Sequence, residues 1–373
     1  MRHKKKKTGR TALLVLLAFV LIIAIGVIGG YNMIKNYDSA FDPSSTATVD
    51  CVVPKGATTT KIGVLLKDAG LIKNDQIFKL KSKLCGYDGK YQAGEYELSS
   101  SMTMNEIMLK IQDGRRETRK ITIKEGWKLA DIINYLAENN IVTAEEFLYS
   151  LENDNFDQWF VKELKETAPA PVAADKEHKL SYTISSKANR FEGFLFPDTY
   201  EIYVDASARH IINKMLTRFD EVFTEDLQNK MKERDLSLQE AVTIASLIER
   251  ETVKDNERAK VSSVIYNRLG SNATGGKLQF CSTVLYSLGY HKNRVLFKDL
   301  EIDSPYNTYK YAGLPVGPIC CPGKACLEAA LNPADTKYLY FVVSSKGDGS
   351  HNFSSKYSDH TAFSEEYLQT IDK

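Results

Sequence analysis

Ser237-Leu-Gln-Glu-Ala-Val-Thr-Ile-Ala-Ser-Leu-Ile-Glu-Arg-Glu-Thr252 runs an apolar helical stripe into a carboxylate. Ser237 and Glu240 stand at capping-box spacing and predict a helix start. Ile244, Leu247, Ile248 and Glu251 follow at i, i+3, i+4 and i+7, which places the Glu251 carboxyl on the buried face. An acid in the last turn of a helix is ordinarily a solvated end residue. A desolvated one resists ionising near neutrality, which is the condition for a general acid. Glu249 is turned by about 200° from Glu251 on the ~3.6-residue repeat and is expected to face solvent or a neighbouring chain.

Around this helix the chain has 373 residues, room for two or three domains with ample core. The net charge of +1 conceals an asymmetry: residues 1–10 hold six Lys or Arg and no acid, so the remainder is net −5. A mildly acidic body argues against nucleic acid as a partner. Residues 12–29, from Ala12 to Gly29, carry no charge and predict a transmembrane helix behind a cytoplasmic basic tail. A cleaved signal peptide is the competing reading, but no clear small-x-small site follows. The expected localisation is therefore the cell membrane, single-pass, with the N-terminus cytoplasmic and the rest extracytoplasmic.

Six cysteines (Cys51, Cys85, Cys281, Cys320, Cys321 and Cys326) form no CxxC pair and stand near no His at metal-ligand spacing, so neither a zinc site nor a cofactor is expected. Outside the cytoplasm a disulfide between Cys281 and one of Cys320, Cys321 and Cys326 is the pairing to test first. Widely spaced His291, His351 and His360, with no HExxH, argue against a zinc hydrolase.

A shift of 70 residues brings Gly56 onto Gly126, Ile62 onto Ile132, Leu66 onto Leu136, Leu71 onto Ile141, Ile72 onto Val142 and Phe78 onto Leu148. Each copy reads as a strand, a Gly turn and two helices. Tyr91–Leu98 reads as a further strand, and Thr103 with Glu106 as a second capping box. Ala- and Pro-rich residues 166–179 read as a loop or hinge, and 31–46 as a linker.

Beyond residue 180, Phe191-Glu-Gly-Phe-Leu-Phe-Pro-Asp-Thr-Tyr200, Pro305-Tyr-Asn-Thr-Tyr309 and Gly313-Leu-Pro-Val-Gly-Pro318 concentrate aromatics, amides and stiff turns. Rings beside amides suit a sugar groove, although core packing is the plainer use of any single tyrosine.

Ile244–Thr252, Glu257–Leu269, Leu278-Gln279, Tyr306–Tyr309, Gly313–Pro318 and His351-x-Phe353, in this order, resemble the MltG/YceG-like endolytic murein transglycosylases. The 70-residue repeats resemble glycan-binding LysM-type modules; spacing the C-terminal domain from the membrane is their plainer reading. The resemblance implies an α+β fold class: a single N-terminal transmembrane helix, LysM-like small α/β modules and an α+β lytic-transglycosylase domain. The expected boundaries are a tail at 1–10, the span at 11–30, the linker at 31–46, a LysM-like module at 47–118, a second LysM-like repeat unit at 119–165, the hinge at 166–179 and the catalytic domain at 180–373.

The resemblance further implies cleavage of the MurNAc-GlcNAc β-1,4 bond of nascent peptidoglycan with 1,6-anhydroMurNAc ends, limiting strand length during wall synthesis. Its partners would be glycan strands, the plasma membrane and a peptidoglycan synthase (penicillin-binding protein) complex. Carried over by motif, Glu251 is the catalytic acid. Glu192 and Asp198 become candidates for electrostatic support, and Gln279, Tyr306, Asn307, Tyr309 and His351 for substrate binding. One lone carboxyl suffices for such a reaction, unlike the pair of an ordinary glycosidase. The chain departs from the pattern where Thr-Asp-Pro-Thr is usual and Phe280-Cys-Ser-Thr283 stands instead. A non-catalytic, membrane-anchored glycan-binding scaffold is the alternative that the repeats alone would support.

Overall fold

The computed structural model describes residues 37–114, 118–171, 182–290, 292 and 295–371. The chain divides between Glu117 and Thr118 into two compact units.

In the first unit, strand β1 (Thr48–Val53) leads into helices α1 (Thr59–Asp68) and α2 (Asp75–Leu84), and strand β2 (Gly94–Ser99) into helix α3 (Met104–Asp113). The Thr58 side chain accepts from Lys61 N at 3.3 Å and starts α1; Asn74 accepts from Gln76 N and Ile77 N and starts α2. Thr103 and Glu106 close a reciprocal capping box on α3, as their spacing predicts. β1 and β2 pair antiparallel from Thr48 opposite Ser99 to Val53 opposite Gly94. Val53, Ile62, Leu66, Phe78, Leu98, Ile107 and Ile111 make the core beneath them.

In the second unit the same succession opens with β3 (Thr118–Thr122), α4 (Leu129–Glu138) and α5 (Ala144–Asn153), 70 residues further on. Here β3 pairs antiparallel with β4 (Thr199–Tyr203), Ile121 opposite Tyr200. Its apolar residues join one continuous core that runs from Ile121 to Leu331. A short helix α6 (Ser186–Asn189) precedes β4, and α7 (Ala208–Val222) and α8 (Glu225–Glu233) follow it. Then come α9 (Leu238–Glu251), α10 (Arg258–Leu269), α11 (Cys281–Leu288) and α12 (Lys324–Leu331). A hairpin of β5 (Tyr340–Val343) and β6 (His351–Ser354) and the helix α13 (Tyr357–Ile371) close the unit.

Helix α9 lies at the centre. Its Ser237–Glu240 capping box is formed, and Ala241 through Ile248 are buried on every face. Full burial of Ile244, Leu247 and Ile248 is worth about 2–3 kcal/mol each. Residues 313–318, which read as a stiff turn, and the following residues to 323 form a strap alongside this helix. Gln239 Nε2 donates to Val316 O, Ser246 Oγ accepts from Ile319 N at 3.1 Å, and Glu249 Oε2 accepts from Gly323 N at 2.9 Å. Gly193 lets the strap approach: its φ is +87°, and a Cβ there would stand 2.7 Å from Pro318 Cβ and 2.9 Å from Val242 Cγ1.

Three expectations are corrected. The fold class is α+β, but the expected membrane-spanning helix is overturned as part of it: among the described residues no helix is long and apolar enough to cross a membrane. The longest have 15 residues, about 22 Å at ~1.5 Å per residue against a hydrocarbon core of ~30 Å. The apolar stretch 12–29 lies outside the described residues. Second, all six cysteines are free. Cys281 faces Tyr309, Cys320 donates to Ser246 O, and Cys326 sits between Glu249 and Arg258, so each thiol is engaged elsewhere. Third, Glu249, expected to face solvent or a neighbouring chain, is half-buried and accepts Gly323 N, capping the strap where α12 begins.

Candidate active site

The last turn of α9 delivers Glu251, and the chain leaves in an extended conformation at Thr252. Glu251 is half-buried, and its Oε1 accepts the Ser282 hydroxyl at 2.6 Å. The Ser282 backbone N–H, in the first turn of α11, faces the same carboxyl. Desolvation pushes the Glu251 pKa up to about 7, opposed by the Ser282 hydroxyl and by the guanidinium groups of Arg268 and Arg250. A carboxyl so placed is protonated in a large fraction of molecules near neutrality and close to balanced between its two forms.

The start of α11 is pinned where Glu251 needs it. Phe280 N donates to Thr308 Oγ1 at 3.1 Å, the Thr283 and Thr308 hydroxyls meet at 2.9 Å, and Gln279 N donates to Thr308 O. To reach this register Gln279 adopts a left-handed backbone, φ +54°, and its residue is exposed. Such strain in a residue other than glycine is concentrated at functional sites. Arg268 is buried beneath, its Nε donating to Leu339 O at 2.6 Å and its Nη1 to Leu278 O, with Phe280 and Tyr340 rings against the guanidinium. Its charge is thus committed to carbonyls and rings while it bears electrostatically on Glu251.

Tyr309 joins this group. Its hydroxyl lies 3.2 Å from Cys281 Sγ, and burial holds both the phenol and the thiol above their ordinary values, so both are neutral at physiological pH. His351 is brought to the other side of the helix end. Glu257, buried, accepts His351 N at 3.0 Å, contacts His351 Nδ1 at 2.7 Å and accepts the Thr252 hydroxyl at 3.4 Å. The β5–β6 hairpin is thereby tied to the residue after Glu251.

Other candidates serve as scaffold. Tyr306 is buried, accepts Asn189 Nδ2 at 2.9 Å and packs on Tyr286 at 4.7 Å between centroids. Asn307 is buried and shapes its loop, donating to Leu300 O and Ile302 O and accepting Tyr309 N. Glu192 lies apart from Glu251: its two oxygens accept Leu129 N at 3.0 and 3.1 Å at the start of α4, and Oε2 also accepts the Tyr286 hydroxyl. Desolvation pushes its pKa up to about 8. Asp198 makes a half-exposed ion pair with Arg218, 2.8 Å, and accepts its neighbour Thr199 N.

The structure thus gathers Glu251, Tyr309 and the backbone of Gln279 at one point, with His351 joined through Thr252. Sequence reasoning missed Ser282, Arg268 and Glu257. Ser282 had a signal, since it stands within the one tetrapeptide that departs from the expected pattern. Arg268 and Glu257 had none beyond lying inside a matching motif. Among the described residues no group of three or more His, Cys, Asp or Glu could hold a metal ion.

An α+β fold around a buried helix that ends in a desolvated, hydrogen-bonded carboxyl offers a group suited to acid–base chemistry. The YceG-like family model matches residues 51–366, and the chain belongs to that family. It is 35% identical over 347 residues to an endolytic murein transglycosylase of Bacillus subtilis (strain 168), covering 92% of each chain. An endolytic murein transglycosylase of Streptococcus pneumoniae serotype 2 (strain D39 / NCTC 7466) is 30% identical over 343 residues, 88% of this chain and 60% of its own length. A 2.6 Å crystal structure of a YceG-like protein from Listeria monocytogenes aligns with a TM-score of 0.53 at 33% identity, covering 85% of this chain and 99% of that one.

Proposed function

We propose that Glu251 is the catalytic acid and base of a lytic cleavage of peptidoglycan glycan strands. The chain is a peptidoglycan lytic transglycosylase, in keeping with its relatives named endolytic murein transglycosylase. The observation that carries the residue assignment is the half-buried Glu251 carboxyl, pushed up to about 7 and held at the start of α11 by Ser282.

The protonated acid gives its proton to the glycosidic oxygen as the bond from the muramoyl C1 breaks. The carboxylate then takes the proton of the muramoyl C6 hydroxyl as that oxygen bonds to C1. A 1,6-anhydromuramoyl end forms, no water is consumed, and Glu251 is again protonated. Desolvation favours the acid that begins this cycle. Ser282 and the nearby arginines stabilise the carboxylate in its middle. The strongest influences on Glu251 include no second carboxylate, which suits a reaction whose nucleophile is the substrate's own hydroxyl. Tyr309 bears electrostatically on this carboxyl and, with the exposed Gln279, is the candidate for substrate contact beside it. The enzyme would act on the extracytoplasmic side, where its substrate lies, and shorten nascent strands beside a peptidoglycan synthase.

Digestion of purified peptidoglycan with the wild-type protein and with Glu251→Gln, followed by mass analysis, tests the reading. The wild type is expected to release anhydromuramoyl ends and the variant to lose at least ~10²-fold in rate. Anhydromuramoyl ends persisting at the wild-type rate in Glu251→Gln would refute the assignment; reducing ends from the wild type would make the enzyme a hydrolase.

A further inference from the structure

We infer that Ser282 is the positioning residue of the Glu251 acid: by donating its hydroxyl to Oε1 it fixes the carboxyl's orientation and leaves Oε2 to carry the transferable proton. This inference rests on the reading of Glu251 as the acid.

The geometry has three parts. The Ser282 Oγ to Glu251 Oε1 distance is 2.6 Å, within the range of a strong O–H···O bond to a carboxylate. The backbone N–H of the same residue faces the same carboxyl from the first turn of an eight-residue helix, where helix amides have no internal acceptor. The helix cannot drift, because Phe280, Thr283 and Thr308 lock its start.

A glutamate in the last turn of a helix has three free side-chain torsions, and ordering it costs conformational entropy. Ser282 supplies the hydrogen bond that holds the ordered rotamer. Its effect also differs between the two halves of the reaction. A hydroxyl donating to a neutral acid makes an ordinary bond, whereas the same hydroxyl on the carboxylate left after proton transfer makes a charge-assisted one. The contact thus strengthens as the glycosidic oxygen is protonated, which is when added stabilisation accelerates the step.

Beside Ser282 stands Cys281, whose thiol is kept neutral and turned to Tyr309. A like charge beside Glu251 is absent and two donors are present.

The groups that face Glu251 are Arg250 from its own helix, Arg268 from α10, Cys281 and Ser282 from α11 and Tyr309 from the loop beyond it. The Cys281 thiol and the Tyr309 phenol stay neutral between pH 5 and 8, so neither contributes to the alkaline limb in that window.

The test is kcat and KM for release of anhydro-ended products by the full chain from purified glycan strands, measured from pH 5 to 9. In Ser282→Ala the alkaline limb is expected to move up by roughly one pH unit, because a donor to the carboxylate form is gone. kcat is expected to fall roughly ten- to a hundredfold, with KM within about twofold. Ser282→Pro, which also removes the N–H, should move the limb at least as far, and Ser282→Thr should restore the wild-type profile. Ser282→Val, nearly isosteric with Ser282→Thr, supplies the donor-free comparison if Ser282→Ala does not fold. An alkaline limb that stays in place when the hydroxyl is removed, or a KM effect with unchanged kcat, overturns the inference. If Glu251→Gln is fully active the reading of the site itself fails. If Glu251→Gln is inactive and the Ser282 profiles coincide with wild type, this inference alone fails.

Discussion

The strand–helix–helix segment at residues 48–84 and its counterpart at 118–153 differ in how each starts its first helix. Both enter through a glycine in the left-handed region, Gly56 at φ +75° and Gly126 at φ +76°. In the first, Thr58 caps α1 from the adjoining position. In the second, Lys128 stands at that place and offers no side-chain cap; Leu129 N is satisfied instead by Glu192, 63 residues away in sequence. The first copy pairs its strand with β2 and closes its own core. The second pairs with β4, its turn exchanges backbone bonds with Cys321, and Gly126 O accepts Arg250 beside Glu251. One local pattern therefore serves in one place as a self-contained unit and in the other as a wall of the catalytic core.

The contrast can be broken most forcibly at Glu192. Glu192→Ala strands the Leu129 N–H and leaves the Tyr286 hydroxyl only its long 3.5 Å contact with Asn189 Oδ1, and a loss of about 3 kcal/mol is expected in urea unfolding of the second unit. The first unit's unfolding should not move. An unchanged midpoint for both units would show that the long-range cap contributes nothing.

A smaller effect should appear with pH. Glu192 and Glu251 are raised from 4.5 to about 8 and about 7, so the folded second unit binds more protons than its unfolded chain between those values. The stability they contribute is present in full below about pH 4.5 and lost as pH rises through the folded values. The second unit's melting temperature should fall by about a few degrees from pH 5 to pH 8, and Glu192→Gln should flatten that slope. In the first unit the shifted carboxylates Asp42, Asp75 and Glu106 are lowered by hydrogen bonds and lose their contribution only on acidification, so no such slope is expected between pH 5 and 8. Parallel slopes in the two units would remove the distinction.

The mildest probe is Thr58→Ala. Loss of an ordinary side-chain cap should cost about 1 kcal/mol, read as faster hydrogen exchange in α1 with α4 and the release of anhydro ends unaffected. A change in exchange at α4 would show that the two copies are not independent.

These differences mark how far the sequence could be read. The capping boxes at Thr103 and Ser237 and the buried stripe of Ile244, Leu247 and Ile248 were legible because they depend on residues within one or two turns of each other. That Glu251 faces inward followed from the same spacing. Glu249 was misread because its partner, Gly323 N, is on a strap 74 residues later, and helical periodicity carries no information about what packs beside a helix. For the same reason the place of Glu192, a candidate for electrostatic support, could not be read from its motif: it accepts Leu129 N at the start of α4. Tyr306 and Asn307 share a motif with Tyr309, yet burial makes the first two part of the frame and leaves the third at the acid.

Ser246 has a consequence for the order in which the protein is made. Its hydroxyl and carbonyl, in the middle of α9, wait for Ile319 and Cys320, and Glu249 waits for Gly323, all more than 70 residues downstream. Glu251 itself waits 31 residues for Ser282. During synthesis the helix can coil early from its own capping box, in about a microsecond, but contacts of such sequence separation are slow to close. The surroundings of Glu251 are therefore complete only once the chain through Gly323 has emerged.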